Sequence, residues 1–119
     1  MNRAKLLERG FRRYGSRLTV LHGEEEHTLY AILEQNRRKN RYHFEFKASK
    51  IGRYYNNYYF YYGPADYDIR QLSEDDTVFM GTERFVFIQK DAVYFAGEVL
   101  YYRGVLKKLE DEDVFETGA

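Results

Sequence analysis

The chain has 119 residues, with 19 Lys+Arg, 19 Asp+Glu, 13 Tyr, 9 Phe, one Pro and neither Cys nor Trp. That is one domain's length, too aromatic for a disordered chain, and it lacks the thiols of a disulfide scaffold or a cysteine-ligated metal site. No apolar run approaches the roughly 20 residues of a membrane helix, and the charged start MNRAKLLERGFRRYGSR has no secretory apolar segment, so the sequence reads as soluble and intracellular.

Residues 3–14 predict a short helix. Ala4, Leu7, Phe11 and Tyr14 fall in one apolar stripe, and Arg3, Lys5, Arg9, Arg12 and Arg13 cover the rest. Gly15 supplies its stop. The period then shortens to two. Residues 17–22 predict a strand, 23–26 a turn and 27–34 the hairpin partner. In that partner Leu29, Ala31 and Leu33 share one face, and Tyr30 and Ile32 the other. Such a strand is covered on both sides or closes a small barrel. Residues 35–41 read as a polar, basic loop. Residues 42–48 alternate most cleanly, with Tyr42, Phe44, Phe46 and Ala48 on one face. Residues 50–57 are turn-like. Residues 58–62 (YYFYY) form an aromatic strand stopped by Gly63 and Pro64. Residues 65–77 are the longest polar connection. Residues 78–80 are a short apolar piece closed by Gly81, and strands follow over 84–88, 92–96 and 99–109, with Gly97-Glu98 as a tight turn. The expected fold is mainly β: a small antiparallel β-barrel or sandwich of about seven short strands with a short N-terminal helix. It is expected as a single domain over 1–119, with a helix or arm at 1–15, the barrel at 16–109 and a flexible acidic tail at 110–119.

Neutrality hides a division. Residues 1–60 carry a net charge of +7 and residues 61–119 a net charge of −7. The chain therefore suits head-to-tail contacts with copies of itself or with unlike partners, unless the two halves interleave and cancel. Signals for chemistry are weak. His22 and His27 flank a turn rich in Glu24, Glu25 and Glu26, a conceivable metal site without a third fixed ligand. Hairpin ends are more often polar simply for solvation. Asp75 and Asp76 are adjacent in a connection, where carboxylates seldom converge and side chains are usually exposed. No phosphate-loop, dinucleotide, zinc-protease or nucleophile-elbow motif occurs. The expectation is a non-enzyme with no catalytic residues, no metal and no cofactor.

Single-stranded nucleic acid is the competing partner. Arg41-Tyr42-His43-Phe44 and Arg53-Tyr54-Tyr55 place cations beside rings that bases stack on. Against this, the chain is neutral overall, and alternate aromatics are what a strand turns toward a core. A third reading is a closed barrel holding a small ligand. The Tyr content exceeds what a core of this size can bury with satisfied hydroxyls, so some Tyr belong at an interface.

The order of features resembles the small head–tail connector (head-closure, or stopper) proteins of tailed phages and PBSX-like prophages. Arg13-Tyr14-Gly15 leads into a first strand, followed by Leu29 to Gln35. Tyr59-Phe-Tyr-Tyr-Gly-Pro64 resembles a strand entering a Gly-Pro turn. Leu72 to Gly81 and Arg84-Phe-Val-Phe precede a closing hairpin, Val93-Tyr94, Gly97-Glu98 and Leu100 to Leu106. The similarity runs over almost the whole chain and lies in order and spacing. It implies a β-barrel-like fold with a helical or extended arm, no enzymatic activity, and assembly as a ring between portal and tail. The implied partners are portal or adaptor and tail proteins, copies of the chain itself and packaged DNA, with no membrane. The implied location is the bacterial cytoplasm during assembly and then the virion. Candidate contact residues are Arg37, Arg38, Lys39 and Arg41 of the first basic loop, Arg53, Tyr54, Tyr55 and Tyr58 of the aromatic stretch, and Asp75 and Asp76 of the connection.

Overall fold

The computed structural model describes residues 3–35 and 57–109. The predicted strand over 42–48, the loop beyond Gln35 and the acidic tail lie outside the described residues. The expected helix is present as α1 (Arg3–Tyr14). Its stripe buries Phe11 and half-buries Ala4 and Leu7. Tyr14 is a correction: although it falls in the helical stripe, it is 75% exposed. Gly15 donates its N–H to the Phe11 carbonyl at 2.8 Å. A Cβ there would sit 2.5 Å from the carbonyl oxygens of both Ala31 and Phe11. Only a residue without Cβ lets helix and sheet approach this closely.

Six strands follow among the described residues: β1 (Ser16–His22), β2 (Glu25–Gln35), β3 (Tyr58–Gly63), β4 (Thr77–Met80), β5 (Glu83–Phe95) and β6 (Glu98–Lys108). They close into an antiparallel barrel in the order β1-β2-β3-β6-β5-β4, with β4 returning to β1. The barrel is thus chosen over the sandwich. The strands expected over 84–88 and 92–96 are one strand, β5. A bulge at Ile88 shifts its register against β6 between Phe87 and Gln89. The polar Lys90 and Asp91 resembled a break in sequence, but they stay in the ladder opposite Gly104 and Arg103. The tight turn is Ala96-Gly97, both at positive φ, and Glu98 already belongs to β6.

Alternation decides what faces inward. Leu18 and Val20, Leu29 and Ala31, Tyr61, Val78, Phe85 and Phe87, and Tyr102 and Leu106 fill the interior. Aromatic edges meet faces there: Tyr61 and Phe87 are T-shaped at 5.0 Å, and Tyr59 and Phe85 at 5.1 Å. This is the geometry the ring quadrupoles favour. Tyr61 lies along its own strand over the next inward position. A Cβ at Gly63 would fall 2.0 Å from the Tyr61 hydroxyl, which explains a glycine directly after five aromatics. The Tyr61 hydroxyl is buried and has no hydrogen-bond partner. Burial, then the nearby Tyr67 and Asp66, push its pKa far up, so it stays neutral.

Two substitutions test this packing. Gly15→Ala forces carbonyls apart and should cost about 2 kcal/mol in urea denaturation. Tyr61→Phe removes a hydroxyl that gains nothing from burial. It should leave stability unchanged or raise it by up to about 1 kcal/mol, and a loss larger than that would show a partner for the hydroxyl.

Candidate functional site

One mouth of the barrel carries most of the polar organisation. The connection after Gly63 crosses it, with one 3₁₀ turn at Ile69–Gln71. Sequence polarity concealed two plugs: Ile69 and Leu72 are buried and join the core. Their signal is their spacing, three residues apart in an otherwise charged segment. Lys90 of β5 donates to the Leu72 carbonyl and holds the segment from the far side.

Asp76 fastens this plug. Its carboxylate accepts from the Ser73 N–H at 2.8 Å, the Gly23 N–H at 3.0 Å and His22 Nδ1 at 2.9 Å. The connection is thereby tied to the β1–β2 turn, more than fifty residues away in sequence. Asp76 is 8% exposed, which corrects the expectation of an exposed side chain. The Ser73 N–H, then His22 and the Gly23 N–H, hold its carboxyl down at about 2 against the cost of burial. An ionised carboxylate only accepts, so Nδ1 of His22 carries the proton. Asp75 is exposed, and its N–H donates to Ser73 Oγ at 3.1 Å. The two adjacent carboxylates therefore do not converge.

The histidines part as well. His22 faces Asp76, while His27 stacks on Tyr67 with centroids 4.2 Å apart. They do not face each other across the hairpin, because His22 pairs with Glu25 and His27 with Val20. Burial, Asp76 and Glu25 raise the Tyr67 pKa. Among the described residues no group of three His, Asp or Glu is placed to hold a metal.

Next along the connection, the Asp68 carboxylate accepts from Arg70 Nε and Nη2, both at 3.0 Å, and from the Arg70 N–H at 2.9 Å. The Arg70 side chain, chiefly, lowers the Asp68 pKa. The same guanidinium lies 5.3 Å over the Tyr102 ring and donates to the Tyr94 hydroxyl at 3.3 Å. Arg70 so links the plug to the β5–β6 hairpin. That hairpin runs past the barrel, since β3 pairs with β6 only as far as Tyr102. Its tip displays Tyr94 and Phe95, 57% and 47% exposed. Arg3 of α1 sits 4.2 Å over the Phe95 ring and braces it.

Of the sequence candidates, Arg37, Arg38, Lys39, Arg41, Arg53, Tyr54 and Tyr55 lie outside the described residues. Tyr58 opens β3, half-buried and opposite Lys107. Asp75 and Asp76 lie in the plug. The hairpin tip was missed, because Tyr94 and Phe95 read as strand-facing residues. Around the plug, Glu24, Glu25, Glu26, Asp66, Glu74 and Asp75 are exposed, whereas α1 exposes Arg3, Lys5, Arg9, Arg12 and Arg13. These two surfaces do not reproduce the division of the sequence into halves, because Glu24, Glu25 and Glu26 belong to the basic half and the barrel interleaves strands of both. Comparison with protein-family models, curated proteins and solved structures finds no match for the chain.

Asp76→Asn keeps the shape but loses charge-assisted bonds. It should destabilise the protein by about 2 kcal/mol at neutral pH. Because the Asp76 pKa is lowered by folding, its contribution is complete above about pH 4 and is lost as pH falls through about 2. Acid unfolding curves should show a flatter acid limb in the variant; parallel limbs would contradict this role.

Proposed function

We propose that the chain is a non-enzymatic structural adaptor of a tailed-phage or prophage particle, joining head to tail as one subunit of a ring. The observation that carries the reading is the ordered series of strands and turns, from Arg13-Tyr14-Gly15 to the closing hairpin, which resembles the head–tail connectors over almost the whole chain. A closed antiparallel barrel with an N-terminal helix accords with that resemblance. Two features support assembly over solitary action. The hairpin offers exposed Tyr94 and Phe95 on a rigid, braced stem, and aromatics of this kind anchor interfaces. The basic α1 and the acidic barrel mouth are unlike surfaces, as a heterologous, ring-closing contact requires. In this reading the partners are the portal or its adaptor, the tail and neighbouring copies, and no cofactor takes part.

Deleting the gene in an inducible lysogen provides the test, read by electron microscopy. Filled heads and free tails that fail to join are expected, with joining restored by the intact gene in trans. Normal tailed particles from the deletion strain would remove the proposal.

A further inference from the structure

The stripe that docks α1 on the barrel decides which of its side chains face water. Phe11 is buried and Ala4 and Leu7 are half-buried, so the opposite side presents Lys5, Arg9 and Arg13. These recur every four residues, at intervals of about 6 Å along the axis. β1 adds a cation on the same side. Leu18 and Val20 point inward, so Arg17 points outward, directly across from Tyr30 of β2. Paired residues on adjacent strands share a face. The Arg12 guanidinium lies 5.6 Å over that Tyr30 ring, which brings helix and strand cations to one face.

Little neutralises this face. α1 and β1 expose six Arg or Lys against one acid, the half-buried Glu8, and Arg12 takes that acid at 3.5 Å. Among the described residues no carboxylate pairs with Arg9, Arg13 or Arg17. In the outward row of β2, Glu26 and Glu34 stand four residues to either side of Tyr30, about 13 Å along the strand. Glu98 stands opposite Phe95, on which Arg3 sits, so it belongs to the first turn of α1. The uncompensated charge is therefore that of the last two helical turns and Arg17. Duplex DNA carries a charge for roughly every 1.7 Å of axis, so even a small patch of guanidiniums meets several phosphates. Single strands are held by stacking instead. Here Arg13 lies 5.6 Å over Tyr14, as Arg12 does over Tyr30, and bases have little bare ring to stack on. A bilayer surface needs an apolar helix face to insert, and that of α1 is turned to the barrel.

We propose that the outer face of the last two turns of α1, with Arg17 of β1, binds the phosphate backbone of double-stranded DNA without regard to sequence. Arg9, Arg13 and Arg17 contact phosphate oxygens, which position the duplex but carry no sequence information. The exposed acids around the plug repel the polyanion and fix the side from which it approaches. A single chain suffices for this contact, so the inference does not rest on the particle reading.

Fluorescence anisotropy of the full-length protein tests it, with two labelled duplexes of unrelated sequence and one single strand of equal length. At low salt, saturable binding is expected, equal for the two duplexes and weaker for the single strand. The logarithm of the affinity should fall with the logarithm of salt concentration at a slope of about −3, one for each phosphate contact. Arg9→Glu combined with Arg13→Glu should weaken binding by about tenfold or more while circular dichroism stays unchanged, and Arg9→Lys with Arg13→Lys should retain most of it. Arg103→Gln, which removes an exposed cation already paired with Asp91, should leave binding as it was. Absence of binding at low salt, binding unchanged by the two charge reversals, preference for the single strand, or sedimentation with phosphatidylglycerol vesicles in place of duplex binding would each overturn the proposal.

Discussion

The structure depends on sealing one mouth of the barrel. Six short strands enclose an apolar interior whose end would otherwise stand open to water. The segment that covers it is mostly polar and has little tendency of its own to lie there. Ile69 and Leu72 bring apolar area, and the Asp76 carboxylate supplies the fixed anchor. Four donors from three residues converge on one buried anion, two of them main-chain N–H groups that would need partners in any case. Once the plug is held, its other side chains acquire fixed neighbours. Tyr67 meets His27, and Arg70 reaches Tyr102 and Tyr94. The projecting hairpin is thus oriented by the same segment that closes the core.

Closure has a second consequence. Strands in a barrel are tilted and staggered, so some run beyond their neighbours. Here β5 and β6 outrun β3 and β4, and β2 outruns β3. The first overhang keeps its ladder internal, because β5 and β6 pair with each other to the tip, and it displays side chains. The second brings β2 beside α1 and the start of the plug rather than beside a strand. The first suits contacts made by aromatic packing. Both stand at the plugged end. β5 shifts register against β6 at Ile88 and again between Val93 and Tyr94, and such irregularities raise the local twist of a strand pair.

Local patterns in the sequence located most elements, because each strand carries its own alternation and each turn its own glycine. The helix, the first hairpin, the aromatic strand and the last strand were all legible in this way. Errors arose where a distant partner decides the outcome. Gln89 to Asp91 looked like an interruption, since nothing local shows that Arg103 stands opposite Asp91. Asp76 looked like one more solvated acid, since its partners at His22 and Gly23 are far off in sequence. Tyr14 fits the helical period, yet the period cannot show which residues of the stripe find a neighbour to pack on. The candidate site was the least legible part for the same reason: the hairpin tip is defined by where the neighbouring strand β3 stops.

The tyrosine surplus has a physical reading in this architecture. The aromatic strand β3 has both rows occupied by rings, and the two rows serve different ends. Tyr59 and Tyr61 point inward and pack edge-on against Phe85 and Phe87. Tyr62 lies on the outer row, tilted against Tyr101 at 6.4 Å, and is only half-buried. Phenylalanine would serve the inner row at least as well, as the orphan hydroxyl of Tyr61 indicates. On the outer row a phenol covers the ladder with its ring and keeps a polar tip in water. A barrel too small to bury its wall on both faces can thereby protect its strand hydrogen bonds without a second layer. The same amphipathic rings are suited to receiving a partner, since they already present apolar area at little conformational cost.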